Sequence, residues 1–312
     1  LKTRDLRLIS KEGMKKMENY IDLHIHSNYS DDGEFTPKEL VKQCKNAGIR
    51  IMAIADHNSV KAIDEEKEIC QQMGIVCLPA IEIDCRFKGV NLHVIGYGMD
   101  YTKAEIIILE ETIVSQEVAM SKEKLRLTNQ LGFSLIEEDL SVLSSNGVWT
   151  GEMFAEALLA KEEYVDSNLL KPYREGGHRS DNPFVNFYWD YYAQGKPCYV
   201  EIKLPDIEEI ISVIHKYGGI TVLAHPGNNL KDRFELFDEM LAIGLDGVEA
   251  FSSYHTKNDI DYFYQKAKEH HLLVTCGSDY HGRMKPMIQL GGSKCYIDQN
   301  IIEKQLKNYK LI

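Results

Sequence analysis

The sequence predicts an α/β protein carrying a mainly helical insertion. Apolar strand patterns alternate with amphipathic helical patterns over residues 21–98 and again over 198–283. Between them, from Asp100 to about Gln194, only helical patterns recur. The strands also finish on polar side chains suited to metals. In parallel α/β folds such strand ends meet at one face of the molecule, so scattered residues become one site.

The first strand shows this most plainly. Ile21, Leu23 and Ile25 alternate with Asp22, His24 and His26, so the three polar side chains share a face. Two imidazoles two residues apart can grip one cation, and Ser27–Gly33 reads as a turn beyond them. Thr36-Pro37-Lys38-Glu39 then marks a helix start, with an N-cap Thr, Pro at the first position and Glu at the third. Gly48 stops that helix. Ile49–Ala55 reads as a buried strand finished by Asp56 and His57. A helix over about 60–73 ends at Gly74. Ile75–Asp84 is a strand carrying Glu82, and Val90–Gly98 is another carrying His93.

Within the helical stretch, Thr102-Lys103-Ala104-Glu105 reads as a capping box and Met153–Leu159 as a short helix. Tyr188, Trp189, Tyr191 and Tyr192 form an aromatic cluster of core or interface character. The alternation resumes with a strand over Cys198–Ile202 and a helix over Pro205–Tyr217. Strands follow over Ile220–Ala224, Asp246–Phe251 and Leu272–Cys276. The first leads to His225 and the last to Asp279 and His281.

Composition narrows the class. The 312 residues carry a net charge of -12, which argues against a basic surface for coating nucleic acid. Seven cysteines, odd in number and never spaced C-x-x-C, argue for reduced thiols in the cytoplasm. They argue against a disulfide or zinc-thiolate framework. No apolar run has the length of a membrane span. Residues 1–16 read as a leader or loose tail.

Six motifs fall in order: D-x-H-x-H-S-x-x-S-D from Asp22, A-D-H-N-S, I-E-I, L-H-V-I-G-Y, A-H-P-G and G-S-D-Y-H-G. In this the chain resembles the PHP (polymerase and histidinol phosphatase) family of metal-dependent phosphoesterases. Within the family it looks most like the nucleotide and nucleoside 3',5'-bisphosphate phosphatases that carry a helical insertion. The resemblance implies a distorted (β/α)7 barrel from residues 17–99 and 195–312, interrupted by an insertion, or cap, at 100–194. It also implies two or three divalent ions, Mn, Fe or Zn. His24, His26, Glu82 and Asp279 would hold the first. Glu82 would bridge to a second, completed by His93 and His225. Asp31, His57 and His281 would hold the third, with Asp32 able to replace Asp31. Asp22 and Asp56 would orient histidines.

The expected activity is hydrolysis of a small phosphomonoester by a metal-bridging hydroxide, with Glu82, Asp31 and His281 nearest the chemistry. The expected partner is a small phosphorylated molecule, with no membrane and no nucleic acid beyond short oligonucleotides. The family's Arg-Pro-His before the insertion helix is missing, since Thr150-Gly151-Glu152 stand there. Arg174, His178 and Arg179 are therefore read as substitute phosphate ligands, with Lys203 and His255 as further candidates. Three alternatives stand beside this reading: a histidinol-phosphate phosphatase, an exonuclease-like phosphodiesterase, or a non-catalytic regulatory module that binds metal.

Overall fold

In the computed structural model, which describes residues 19–144 and 146–312, the strands form two sheets. The expected leader at 1–16 lies outside the described residues. The first sheet is parallel, with strands β1 (Ile21–Ile25), β2 (Ile51–Ile54) and β3 (Val76–Cys77) in that order. Helices α1 (Pro37–Asn46) and α2 (Ile63–Met73) make its crossovers. Thr36 caps α1 in a full capping box, and Gly74 ends α2 in the left-handed conformation.

The expected strand over Ile75–Asp84 is two strands in different sheets. The chain breaks at Leu78-Pro79, where proline has no N–H to give a ladder. The second sheet begins with β4 (Ala80–Phe87) and β5 (Val90–Tyr97), an antiparallel hairpin. Lys88 and Gly89 turn it with φ of 47° and 79°, the two positive values that a twisted hairpin turn prefers. Glu82 and His93 therefore lie inside strands rather than at their ends.

The chain then leaves the sheet. It forms α3 (Ala104–Gln130), α4 (Glu137–Ser141), α5 (Gly151–Ala160) and α6 (Pro183–Tyr191), with no strand among the described residues from 98 to 219. Thr102 does not cap α3. Its hydroxyl donates to Asp100, and Lys103 takes the N-cap position without a side-chain bond. These helices share a second apolar core, which includes Phe154, Leu158, Phe187 and Tyr192. Phe154 and Tyr192 stack there with centroids 5.2 Å apart.

Cys198–Ile202 is irregular, not a strand. The open edge of β5 is filled instead by β6 (Ile220–Leu223), which runs antiparallel to it after α7 (Ile207–Lys216). The incoming segment meets the outer edge of β4 only at Arg86, through Pro205 and Asp206. Beyond β6 lie α8 (Pro226–Leu230), α9 (Glu235–Ala242), β7 (Gly247–Ser252), α10 (Lys257–Glu269), β8 (Leu273–Gly277) and α11 (Asn300–Asn308). Strands β6, β7 and β8 are parallel. Isolated bridges join the two sheets on both sides, Ile25 to Tyr280 and His57 to Glu82.

Helix α7 docks by a bulky side chain set against two glycines. Ile214 is fully buried, and a Cβ on either Gly96 or Gly219 would come within 2.7 Å of it. Ile214→Ala should therefore lower stability by about 3 kcal/mol, through lost burial and the cavity left behind. Urea unfolding should show the loss, with metal content of the folded protein unchanged.

Candidate metal centre

Glu82 sits at 0% exposure with five imidazoles around it. His24 Nε2, His26 Nε2 and His57 Nδ1 lie 3.1, 3.3 and 3.1 Å from Glu82 Oε2. His93 Nδ1 and His225 Nε2 lie 3.0 and 2.9 Å from Oε1. Burial alone would push the Glu82 carboxyl up, but His24, His57 and His93 hold it well below its ordinary range. Asp279 closes the cluster, with Oδ1 3.3 Å from His24 Nε2 and 3.0 Å from His26 Nε2.

Four groups of donor atoms at this cluster converge closely enough to share an ion. They are His24, His26, Glu82 and Asp279; Glu82, His93 and His225; His26, Asp32, His57 and His281; and His57, Asp84 and His93. The facing atoms fit cations better than hydrogen bonds. His24 Nε2, His26 Nε2, His57 Nδ1, Glu82 Oε2, Asp32 Oδ1 and Asp279 Oδ1 are all buried without a hydrogen-bond partner. Buried polar atoms are seldom left that way unless something else binds them. Imidazole and carboxylate donors without thiolate suit Mn, Fe or Zn.

The far side of several rings is anchored. His24 Nδ1 meets Glu249 at 3.1 Å and His26 Nδ1 meets Ser30 at 2.8 Å. His225 Nδ1 meets Asn229 at 2.6 Å, and His281 Nδ1 donates to the Asp279 carbonyl at 2.8 Å. A proton fixed on Nδ1 leaves Nε2 free as a ligand. Asp22 and Asp56 have a different role from the one expected. They accept backbone N–H groups, Asp22 from Ser278 and Gly291, and Asp56 from Ser27. They fix the loops that carry the ligands, not the rings.

The backbone is bent to suit the cluster. His225 has φ of 26° and Asp279 φ of 59°, values unusual for residues with a side chain. Gly277 lets β8 approach β1: a Cβ there would lie 2.2 Å from both Glu249 Oε1 and His24 Cβ.

Asp32, not Asp31, stands with the third group. Its Oδ1 is 3.1 Å from His281 Nε2 and 3.9 Å from His57 Nε2. Asp31 lines the adjoining cleft, its carboxyl raised to about 6 by burial and by Asp32 beside it. The second aspartate of Ser30-Asp31-Asp32-Gly33 is thus the one that faces His281.

The expected substrate contacts are not brought to the cleft. Arg174 donates to the carbonyls of Leu159 and Tyr164, and Arg179 forks onto Asp190 at 3.0 and 2.8 Å. His178 and Lys203 are exposed and do not line it. His255 is buried, donating from Nδ1 to Ala250 and accepting the Gly227 N–H at Nε2, so neither nitrogen remains for a ligand.

Other residues take those places. Lys285 is buried, with Nζ 3.0 Å from Asp279 Oδ2 and 3.1 Å from His281 Nε2. Burial opposes its charge, yet Asp279, Tyr254 and Asp32 hold its pKa well above the usual range. No periodicity marks Lys285, which lies three residues past the last motif. Asp84 was legible, since it follows Glu82 by two on one strand and shares its face; its Oδ1 lies 3.1 Å from His93 Nε2. Above the cluster opens a cleft of about 660 Å³, walled by Tyr188, Trp189, Lys196, Lys231 and Arg233.

This fold and this cluster define a metal-dependent hydrolase of phosphoric esters. The PHP domain pattern matches residues 22–176, and the chain belongs to that family. It is 28% identical over 268 residues to a "5'-3' exoribonuclease" of Haemophilus influenzae, covering 85% of this chain and 91% of that one. It is 27% identical over 267 residues to a "3',5'-nucleoside bisphosphate phosphatase" of Chromobacterium violaceum, covering 84% and 87%. Its fold is similar to a Bifidobacterium adolescentis crystal structure assigned as a metal-dependent phosphoesterase. The TM-score there is 0.74 and the identity 26%, over 92% of this chain and 95% of that one.

Glu249→Ala should weaken divalent-metal binding by roughly ten- to a hundredfold, as loss of a carboxylate behind a ligating histidine does. Metal retained after dialysis against a graded chelator measures it. Retention equal to wild type would show that Glu249 does not support His24.

Proposed function

We propose that the protein is a phosphatase acting on a phosphomonoester of a nucleotide or nucleoside bisphosphate. The observation that carries this is the pairing of a buried histidine–carboxylate floor with an aromatic and basic wall in one cleft. Bound divalent ions would polarise the phosphoryl group and make water a nucleophile near neutral pH. The residues above would hold them, with Glu82 shared between two groups. Lys285 already donates to His281 Nε2, so an ammonium of the chain's own stands at the third group. We therefore assign two ions plus Lys285, which adds a hydrogen bond to a phosphoryl oxygen. Asp31, with a carboxyl near 6 and a place on the cleft wall, is assigned the proton for the leaving oxygen.

The wall sets the substrate. Tyr188 and Trp189 offer flat faces for a base, and Lys231 lies 4.4 Å over the Trp189 ring. Lys231 and Arg233 are exposed cations along the cleft, placed for a second anionic group. Residues 100–194 act in this reading as a cap on a (β/α)7 barrel. All seven cysteines are unpaired thiols, in keeping with a cytoplasmic location. A second reading, removal of nucleotides from a short RNA end, is favoured by the relative named an exoribonuclease.

A substrate panel decides between them. The expected result is chelator-sensitive hydrolysis of a nucleoside 3',5'-bisphosphate. Lys231→Ala or Arg233→Ala should lower kcat/KM on it by roughly ten- to a hundredfold while sparing p-nitrophenyl phosphate. Nucleotide release from a 5'-phosphorylated oligoribonucleotide, with the bisphosphate untouched, would replace this reading by the second. Metal-loaded protein inert on every ester would leave the regulatory module.

Metal content gives a further check. Two ions per chain are expected, and Lys285→Met should admit a third. Glu82→Gln should cut turnover by roughly a hundredfold or more without unfolding the chain.

A further inference from the structure

Away from the cleft, the first sheet carries a second set of donor atoms. Glu66 and Cys70 lie four residues apart on α2 and so share a face, and Cys77 reaches them from β3. One carboxylate oxygen and the two sulfurs all lie within 4.8 Å of one another. Two thiolates on one zinc ion stand roughly 3.8 Å apart, given Zn–S bonds of about 2.3 Å in a tetrahedral site. The spacing found here is compatible with that.

Glu66 supplies an independent observation. It is 0% exposed. Its Oε1 accepts the N–H of Ile54 at 3.0 Å, but Oε2 is buried with no hydrogen-bond partner. An unpartnered carboxylate oxygen in an apolar cluster costs several kcal/mol unless a proton or a cation joins it. Cys77 is only half-buried, so the cluster has a way in from solvent.

We propose that Glu66, Cys70 and Cys77 form a separate site for a thiophilic divalent ion such as zinc. Binding displaces two thiol protons to solvent, and the carboxylate joins the two thiolates around the ion. The open position beside Cys77 takes water. The spacing of six residues between the cysteines hides the site from a search for C-x-x-C; only the α2–β3 turn brings them together. The ion would tie α2 to β3 and, through Glu66 and Ile54, to the strand that leads into Asp56 and His57. The site does not depend on the catalytic reading, because its ligands are not shared with the cluster around Glu82.

Cobalt(II) separates the two sites spectroscopically. The Glu82 cluster has no thiolate, so it cannot give the near-ultraviolet charge-transfer absorption of a cobalt–thiolate bond. Reduced full-length protein titrated with cobalt(II) should develop that absorption. Cys77→Ser should weaken the cobalt binding it reports by at least about tenfold, and Cys70→Ser should do the same. Glu66→Gln should weaken binding while keeping the band. Cys77 is the least buried of the three, so Cys77→Ser serves where Cys70→Ser fails to fold. No charge-transfer band in wild type, or a band of equal affinity in Cys77→Ser, would overturn the proposal. So would a Cys70–Cys77 disulfide in protein purified under reducing conditions, found by peptide mass analysis.

Discussion

One fully buried carboxylate sets the terms for the rest of the molecule. Glu82 lies at the bridge that joins the two sheets, paired there with His57. An isolated charge so placed would cost several kcal/mol. The five surrounding imidazoles offset that cost, and they come from four parts of the chain: two from β1 and its end, and one each from the turn after β2, from β5 and from the turn after β6. The seam between the sheets and the ligand set are thus the same residues. A fold that brings these segments together has already assembled the centre, and a centre filled by cations would hold the seam.

The backbone conforms to this demand. Asn58, His225 and Asp279 all take positive φ values that ordinary side chains avoid. Each is held by a bond into the cluster or the strand beside it. Asn58 N–H donates to the Glu82 carbonyl, His225 N–H to the Glu249 carboxylate, and Asp279 N–H to the His24 carbonyl. The strain, of order 1–3 kcal/mol at such a residue, is local and is met by bonds the strands supply. Gly277 belongs to the same arrangement, because no larger residue lets β8 close on His24 and Glu249.

Much of this was legible from sequence, for identifiable reasons. The alternation in Ile21–Ile25 states which face the histidines share, and a local period of two survives any tertiary context. The ligands recurred in six segments, so one misread segment could not hide the site. What failed depended on partners far away. Arg174 and Arg179 looked like free phosphate ligands, but their charge is used inside the helical region by carbonyls and by Asp190. Lys285 carried no pattern, since only packing brings it to Asp279. The strand expected at Cys198–Ile202 is irregular chain, since the edge of β5 is already paired with Ile220–Leu223. The hairpin was a different case: Pro79 and Lys88-Gly89 announced it, and the apolar run across Ile75–Asp84 masked the first of them.

The cleft also shows how an acidic chain can admit an anion. The protein carries a net charge of -12, and Glu152 and Glu117 line the same cleft as Lys231 and Arg233. Charged carboxylates there would repel a phosphate. Burial raises both, Glu152 to about 7 with Asp32 adding to the effect, and Glu117 well above its ordinary range with Asp31 adding to it. A raised carboxyl stays neutral until the pH passes its shifted value. Near neutral pH Glu152 is therefore close to half ionised, and Glu117 keeps its proton to higher pH than an ordinary glutamate. At Glu117 and Glu152 burial thus lessens the repulsion that an anion in this cleft would meet.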